Sequence, residues 1–132
     1  MAVSVEVSAL GELFPGGLFT SACPSRVILD HVTSKWGVLV LVSLKGRTLR
    51  WGELRRSVEG VSEKMLAQTL KTFERDGLVA RMALPVIPPH VEYSLTARGD
   101  EVVALLHPLL TWVAANAEAI LAPAPTCAPE PT

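Results

Sequence analysis

The chain has 132 residues, 49% of them apolar, and a formal net charge of −1. That length fits one domain with a real core, and a charge so near zero argues neither for nor against a nucleic-acid partner. Two cysteines, Cys23 and Cys127, are too few for a disulfide scaffold, apolar runs such as Val38–Val42 fall far short of a membrane span, and no Lys or Arg precedes Arg26 to form the basic region of a signal peptide. The expectation is a cytoplasmic protein with reduced thiols and no membrane association.

Residues 1–22 read as a weakly structured arm, because Phe14-Pro15-Gly16-Gly17 interrupts any continuous element. Ser25 is placed to cap a first helix over Arg26–Thr33. Trp36–Leu44 is nearly all apolar and reads as a buried helix, ended by Lys45-Gly46, where glycine can take the left-handed conformation. Thr48–Arg50 is a short extended piece. Gly52–Ser57 is a short helix with Leu54 inward and Arg55 and Arg56 outward, and Val58–Val61 is a turn. Ser62 then caps a helix running to about Asp76, with Glu63 in the first turn, where negative charge suits the helix dipole. Leu66, Thr69, Leu70 and Phe73 recur at helical spacing as a buried stripe, and Lys64, Ala67, Gln68, Lys71 and Arg75 fall on the opposite face. Gly77 ends the helix.

From Leu78 the period changes to two. Leu78–Leu84 and Val91–Leu95 alternate around Pro85–His90 and predict a hairpin, with Pro88 and Pro89 excluding strand at its tip. Thr96 caps a last helix that continues to about Leu121, which Pro108 is predicted to kink or split. Residues 122–132, rich in Pro and Ala, read as a disordered tail. The region 23–121 is thus expected to be an α+β winged helix-turn-helix, mainly helical with a small antiparallel β-wing.

Charge follows this organisation. The segment Lys45–Arg81 holds nine basic and five acidic residues, a net +4 against −5 for the remainder. A locally basic module on an acidic body fits phosphate binding. A helix face of short and polar side chains suits the major groove, where base edges show distinct donor and acceptor patterns. Ser62, Glu63, Lys64, Ala67, Gln68 and Lys71 supply such a face. Gln68 is suited to adenine and Lys64 to guanine, whereas Arg55 and Arg56 suit phosphates, which fix register without reading sequence. Arg75 is expected to pair with Asp76 or Glu74 on the surface. Arg81 and His90 on the hairpin complete the candidate DNA contacts.

Other candidates carry plainer readings. Cys23 precedes a helix start with Arg26 nearby, a setting that favours a reactive thiolate, but a small buried side chain packing under the first helix is the simpler role. His31, His90 and His107 have no metal-site spacing, and no cofactor is expected. Glu92 is expected to pair with Arg81 across the hairpin. Trp36, Trp51 and Trp112 are core or interface anchors, although Trp36 and Trp112 also suit an apolar effector pocket. No phosphate loop, nucleophile elbow or carboxylate pair points to an enzyme.

With these motifs placed, the chain resembles the HxlR family of bacterial winged-helix transcription regulators, relatives of the MarR type. The resemblance spans roughly Cys23 to Val113. It rests on Cys23-Pro24, Leu29-Asp30, Lys35-Trp36, Glu53-Leu54-Arg55-Arg56, Val61-Ser62-Glu63-Lys64-Met65-Leu66, Asp76-Gly77-Leu78, and Pro88-Pro89-His90-Val91-Glu92-Tyr93-Ser94-Leu95-Thr96 followed by Gly99. It implies a homodimer on a pseudo-palindromic double-stranded DNA operator, with Val27, Ile28, Trp36, Leu109, Trp112 and Val113 at the dimer interface or an effector pocket. It also implies, for some members, sensing of a small effector or oxidant through a cysteine at the position of Cys23. Three residues depart from the pattern: Leu84 where an aromatic is common, Val86 where polar or acidic residues are frequent, and His90 where Arg or Lys is usual. The alternative function is a winged helix that binds protein instead of DNA, which would call for an apolar or acidic face in place of this basic one.

Overall fold

The computed structural model describes residues 23–122; the expected N-terminal arm and most of the expected tail lie outside them. In chain order the elements are α1 (Pro24–Thr33), α2 (Lys35–Ser43), β1 (Leu49–Arg50), α3 (Trp51–Ser57), α4 (Glu63–Asp76), β2 (Val79–Leu84), β3 (His90–Leu95) and α5 (Ala97–Leu121).

Helix starts follow local chemistry. Ser34, Ser62 and Thr96 each accept the backbone N–H three residues on, from Gly37, Met65 and Gly99, at 3.2, 3.0 and 3.1 Å. At α3 the reach runs backward: the Arg50 N–H donates to Glu53 Oε1 at 2.9 Å, which starts the helix at Trp51, one residue before the expected Gly52. The expected cap at Ser25 is corrected. Cys23 is the N-cap residue of α1, without a side-chain cap bond, and Pro24 opens the helix, because its fixed φ and missing N–H suit a first helical position.

Gly77 ends α4 at φ 78°, a conformation costly for any residue with a Cβ. The Leu78 N–H donates to the Phe73 carbonyl at 2.9 Å and the Gly77 N–H to that of Glu74 at 3.1 Å. That pair of bonds satisfies the last carbonyls and turns the chain directly into β2.

The sheet has three strands in the order β1-β3-β2, all antiparallel. The short piece before α3 therefore joins the wing, with Leu49 opposite Tyr93 and Arg50 opposite Glu92. Val79, Tyr93 and Leu49 share the face that meets the core, and all three are buried. Register also corrects the expected Glu92–Arg81 pair. Arg81 stands opposite Tyr93 and Glu92 opposite Met82, so the two charges point to opposite faces of the pleat. Glu92 instead lies 3.7 Å from His90 Nε2 on its own strand.

One core joins all layers. Leu41 and Leu44 of the α2 region, Leu54 of α3, Leu66, Leu70 and Phe73 of α4, and Val103 of α5 are essentially inaccessible. Each such side chain contributes about 1.5–3 kcal/mol of burial, so the pitch of α4 is set by the same contacts that stabilise the domain. Gly37 lets α2 approach closely: a Cβ there would meet Phe73 Cζ at 2.9 Å.

Pro108 does not split α5, which stays one helix of 25 residues. Proline removes the bond to the carbonyl of Ala104, and both residues are exposed, so water can take that carbonyl. Helix α5 is long and apolar enough to cross a membrane, and only 11% of its most apolar 18 residues are buried.

Candidate nucleic-acid interface

Helix α4 divides cleanly. Leu66, Leu70 and Phe73 are buried, while Lys64, Ala67, Gln68, Lys71 and Arg75 are exposed. At 3.6 residues per turn, Lys64, Gln68, Lys71 and Arg75 fall within roughly 60° of one another, opposite the buried stripe. Gln68 shares this exposed face with the three cations. Gln68 also lines a hollow of about 170 Å³ with Asp30, His31 and Ser34, smaller than the 300–1,000 Å³ typical of ligand pockets.

The neighbouring groups are arranged around that face. Arg55 Nη1 donates to Glu63 Oε2 at 3.0 Å, with both side chains exposed. The contact joins α3 to the first turn of α4 across the turn, and its strength is small because solvent screens it. Arg56 is exposed on α3 beside it, and Ser62 is committed to capping. Arg75 forms no ion pair among the described residues; the expected partner Asp76 is taken by His31. On the wing, Arg81 is exposed. His90 is turned inward: its side chain is 26% exposed, and Nε2 is buried without a hydrogen-bond partner, 3.7 Å from Glu92.

The contact sequence reading missed is His31 with Asp76. Nδ1 and Oδ2 lie 2.8 Å apart, 45 residues apart in the chain, tying α1 to the last residue of α4. No local pattern marks such a pair.

Cys23 is 7% exposed and is a free thiol. The backbone N–H of Arg26, at the start of α1, lowers its pKa; burial opposes this, and Ser25 adds to the lowering. The residues named for an interface or effector pocket are dispersed. Trp36 packs against the core with Lys35 Nζ 4.5 Å above its ring. Val27, Ile28, Leu109, Trp112 and Val113 are exposed, Trp112 at 57%. Leu105, Ile120 and Leu121 extend that apolar surface along α5.

Paired helices α3 and α4, joined by a tight turn and followed by a projecting hairpin, define a winged helix-turn-helix protein. An HxlR-like helix-turn-helix model matches residues 31–120. The chain is 51% identical over 117 residues to an uncharacterized HTH-type transcriptional regulator, YtfH, of Escherichia coli K12, covering 89% of this chain and 93% of that one. Among solved structures, the ytfH transcriptional regulator of Salmonella typhimurium aligns with a TM-score of 0.75 and 52% identity over 80% of this chain and 95% of its own. The oxidized form of the redox regulator HypR aligns at 0.66 with 31% identity over 71% and 97%. The chain belongs to the HxlR-like helix-turn-helix family, whose members are DNA-binding transcription regulators.

Proposed function

We propose that the protein works as a cytoplasmic homodimer on a two-fold symmetric operator, with α4 in the major groove and the wing beside it. The observation that carries this reading is the polar, cationic face of α4, exposed while its opposite stripe is fixed in the core. Gln68 and Lys64 read base edges; Ala67 permits close approach; Arg55, Arg56 and Lys71 hold phosphates and set register. The apolar side chains exposed on α1 and α5 form the dimer surface, because pairing removes them from water. Pairing two copies sets two α4 helices about one helical turn apart on DNA, which is why the operator is symmetric.

The test compares variants on operator and random duplex. Gln68→Ala and Lys64→Ala lose discrimination, each by about 1–3 kcal/mol at one base position. Arg55→Ala and Arg56→Ala weaken both duplexes alike and flatten the salt dependence. Equal loss on both duplexes for Gln68→Ala would refute its base-reading role.

A thiol response is a second reading, supported by the similarity to the redox regulator HypR and by the lowered pKa of Cys23. Its 7% exposure requires local opening before an oxidant reaches the sulfur. Operator binding that is lost on oxidation and retained by Cys23→Ser supports it; equal loss in both proteins refutes it.

A further inference from the structure

The outer strand of the wing, β2, leaves the core early, whereas Val91 and Leu95 of β3 still pack against it. Val79 is buried, but Ala80 through Ala83 are exposed on both faces, Met82 at 61%. Val79 and Leu84 are five residue steps apart, so β2 runs about 17 Å toward the tip at ~3.3 Å per residue. That is about half of one helical turn of DNA, the step from a major groove to the adjacent minor groove.

The chemistry at the tip is unlike that of α4. Between Arg81 and Glu92 the sequence has no Lys, Arg, Asp or Glu. Pro85, Pro88 and Pro89 have no N–H to offer a phosphate. His90, the one titratable group of the segment, is turned toward Glu92. What remains in solvent is Ile87, 98% exposed at the outermost point, with Val86 at 45% beside it.

We propose that this wing contacts DNA through an apolar tip, with Ile87 inserted into the minor groove as a wedge. The inference rests on the duplex-binding reading above and specifies how its second contact is made. Minor-groove proteins place Phe, Leu, Ile, Met or Pro against base steps and open them. Such a wedge selects flexible pyrimidine–purine steps, TA and CA/TG, since those unstack at least cost. The tip therefore reads deformability half a turn from the bases that α4 reads, and adds no salt-dependent term of its own.

The experiment uses the full chain, wild type and with Ile87→Ala or Ile87→Arg, on duplexes bearing the selected operator. TA, CA or a stiff A-tract is placed at the flanking step, and affinity is measured from low to high salt. Ile87 is exposed, so unchanged thermal unfolding of the variants shows that the fold is intact. Ile87→Ala is expected to bind the TA duplex about tenfold more weakly, the scale of losing burial of one such side chain, with an unchanged salt slope and no remaining preference for TA over the A-tract. Ile87→Arg is expected to steepen the slope by about two units, one for the new phosphate contact of each wing in the dimer. Wild-type affinity and step preference in Ile87→Ala overturn the wedge and leave the tip for a protein partner. A shallower salt slope in Ile87→Ala overturns it as well. Failure of the wild type to bind any duplex overturns the duplex-binding reading itself, and the wedge with it.

Discussion

The His31–Asp76 contact tests whether α4 is held in place by α1. The side chains are 31% and 11% exposed, with Nδ1 and Oδ2 2.8 Å apart. A hydrogen bond to a charged group contributes about 1.5–3 kcal/mol, and the partial exposure of His31 places this one near the lower end. Asp76 is also the last residue of α4, where a carboxylate faces the negative end of the helix dipole at a cost of about 0.3–1 kcal/mol. The partners are therefore unequal. His31→Ala leaves a poorly solvated carboxylate against that dipole with no donor, an expected loss of about 2 kcal/mol. Asp76→Asn gives up the contact but relieves the dipole conflict, for an expected loss of about 1 kcal/mol or less. His31→Asn, whose amide can take the place of Nδ1, falls between them. Urea unfolding at one fixed protein concentration reads the differences, provided the slope is unchanged between variants. A larger loss for Asp76→Asn than for His31→Ala would refute the dipole argument. A double mutant whose loss equals the sum of the singles would refute the coupling.

Three other outcomes follow from the same geometry. Gly37→Ala is expected to destabilise by about 1–3 kcal/mol in thermal or urea unfolding, although alanine is the better helix former, because the added methyl would press on Phe73 and the carbonyl of His31. Trp112→Glu on exposed α5 is expected to yield monomers in sedimentation and to weaken operator binding at least tenfold, with the helical content of the monomer retained. With Cys127→Ser as background, alkylation of Cys23 is expected to rise with pH and level off at a midpoint below that of an ordinary thiol, because the N–H of Arg26 favours the thiolate. A midpoint at or above the ordinary value would show that burial prevails.

Local chemistry made most of the fold legible. Ser62 and Thr96 cap where they were expected to, Gly77 stops α4, and the switch from helical spacing to alternation marks the hairpin. The buried stripe of α4 is legible too, except that Thr69, expected in it, is only half-buried and lines the hollow beside Gln68; the opposite face follows by geometry. What escaped was long-range. Nothing near Thr48–Arg50 signals that β1 pairs with a strand more than forty residues away. Nothing in His31 signals Asp76, and once Asp76 is taken, Arg75 is left to face solvent. Glu92 and Arg81 looked like a cross-strand pair because alternation gives the period of a hairpin but not its register; one residue of slip exchanges the faces. The split expected at Pro108 does not occur, because the carbonyl that the proline leaves without its helical donor sits on an exposed face open to water.

The most direct measurement is selection of random double-stranded DNA on the purified full-length chain at near-physiological salt. The account predicts enrichment of a two-fold symmetric motif, its half-sites about one helical turn apart, and loss of preference at one position per half-site when Gln68 is replaced by Ala. Absence of any enriched motif, or enrichment of single unpaired half-sites, would contradict a homodimeric regulator that reads DNA through α4.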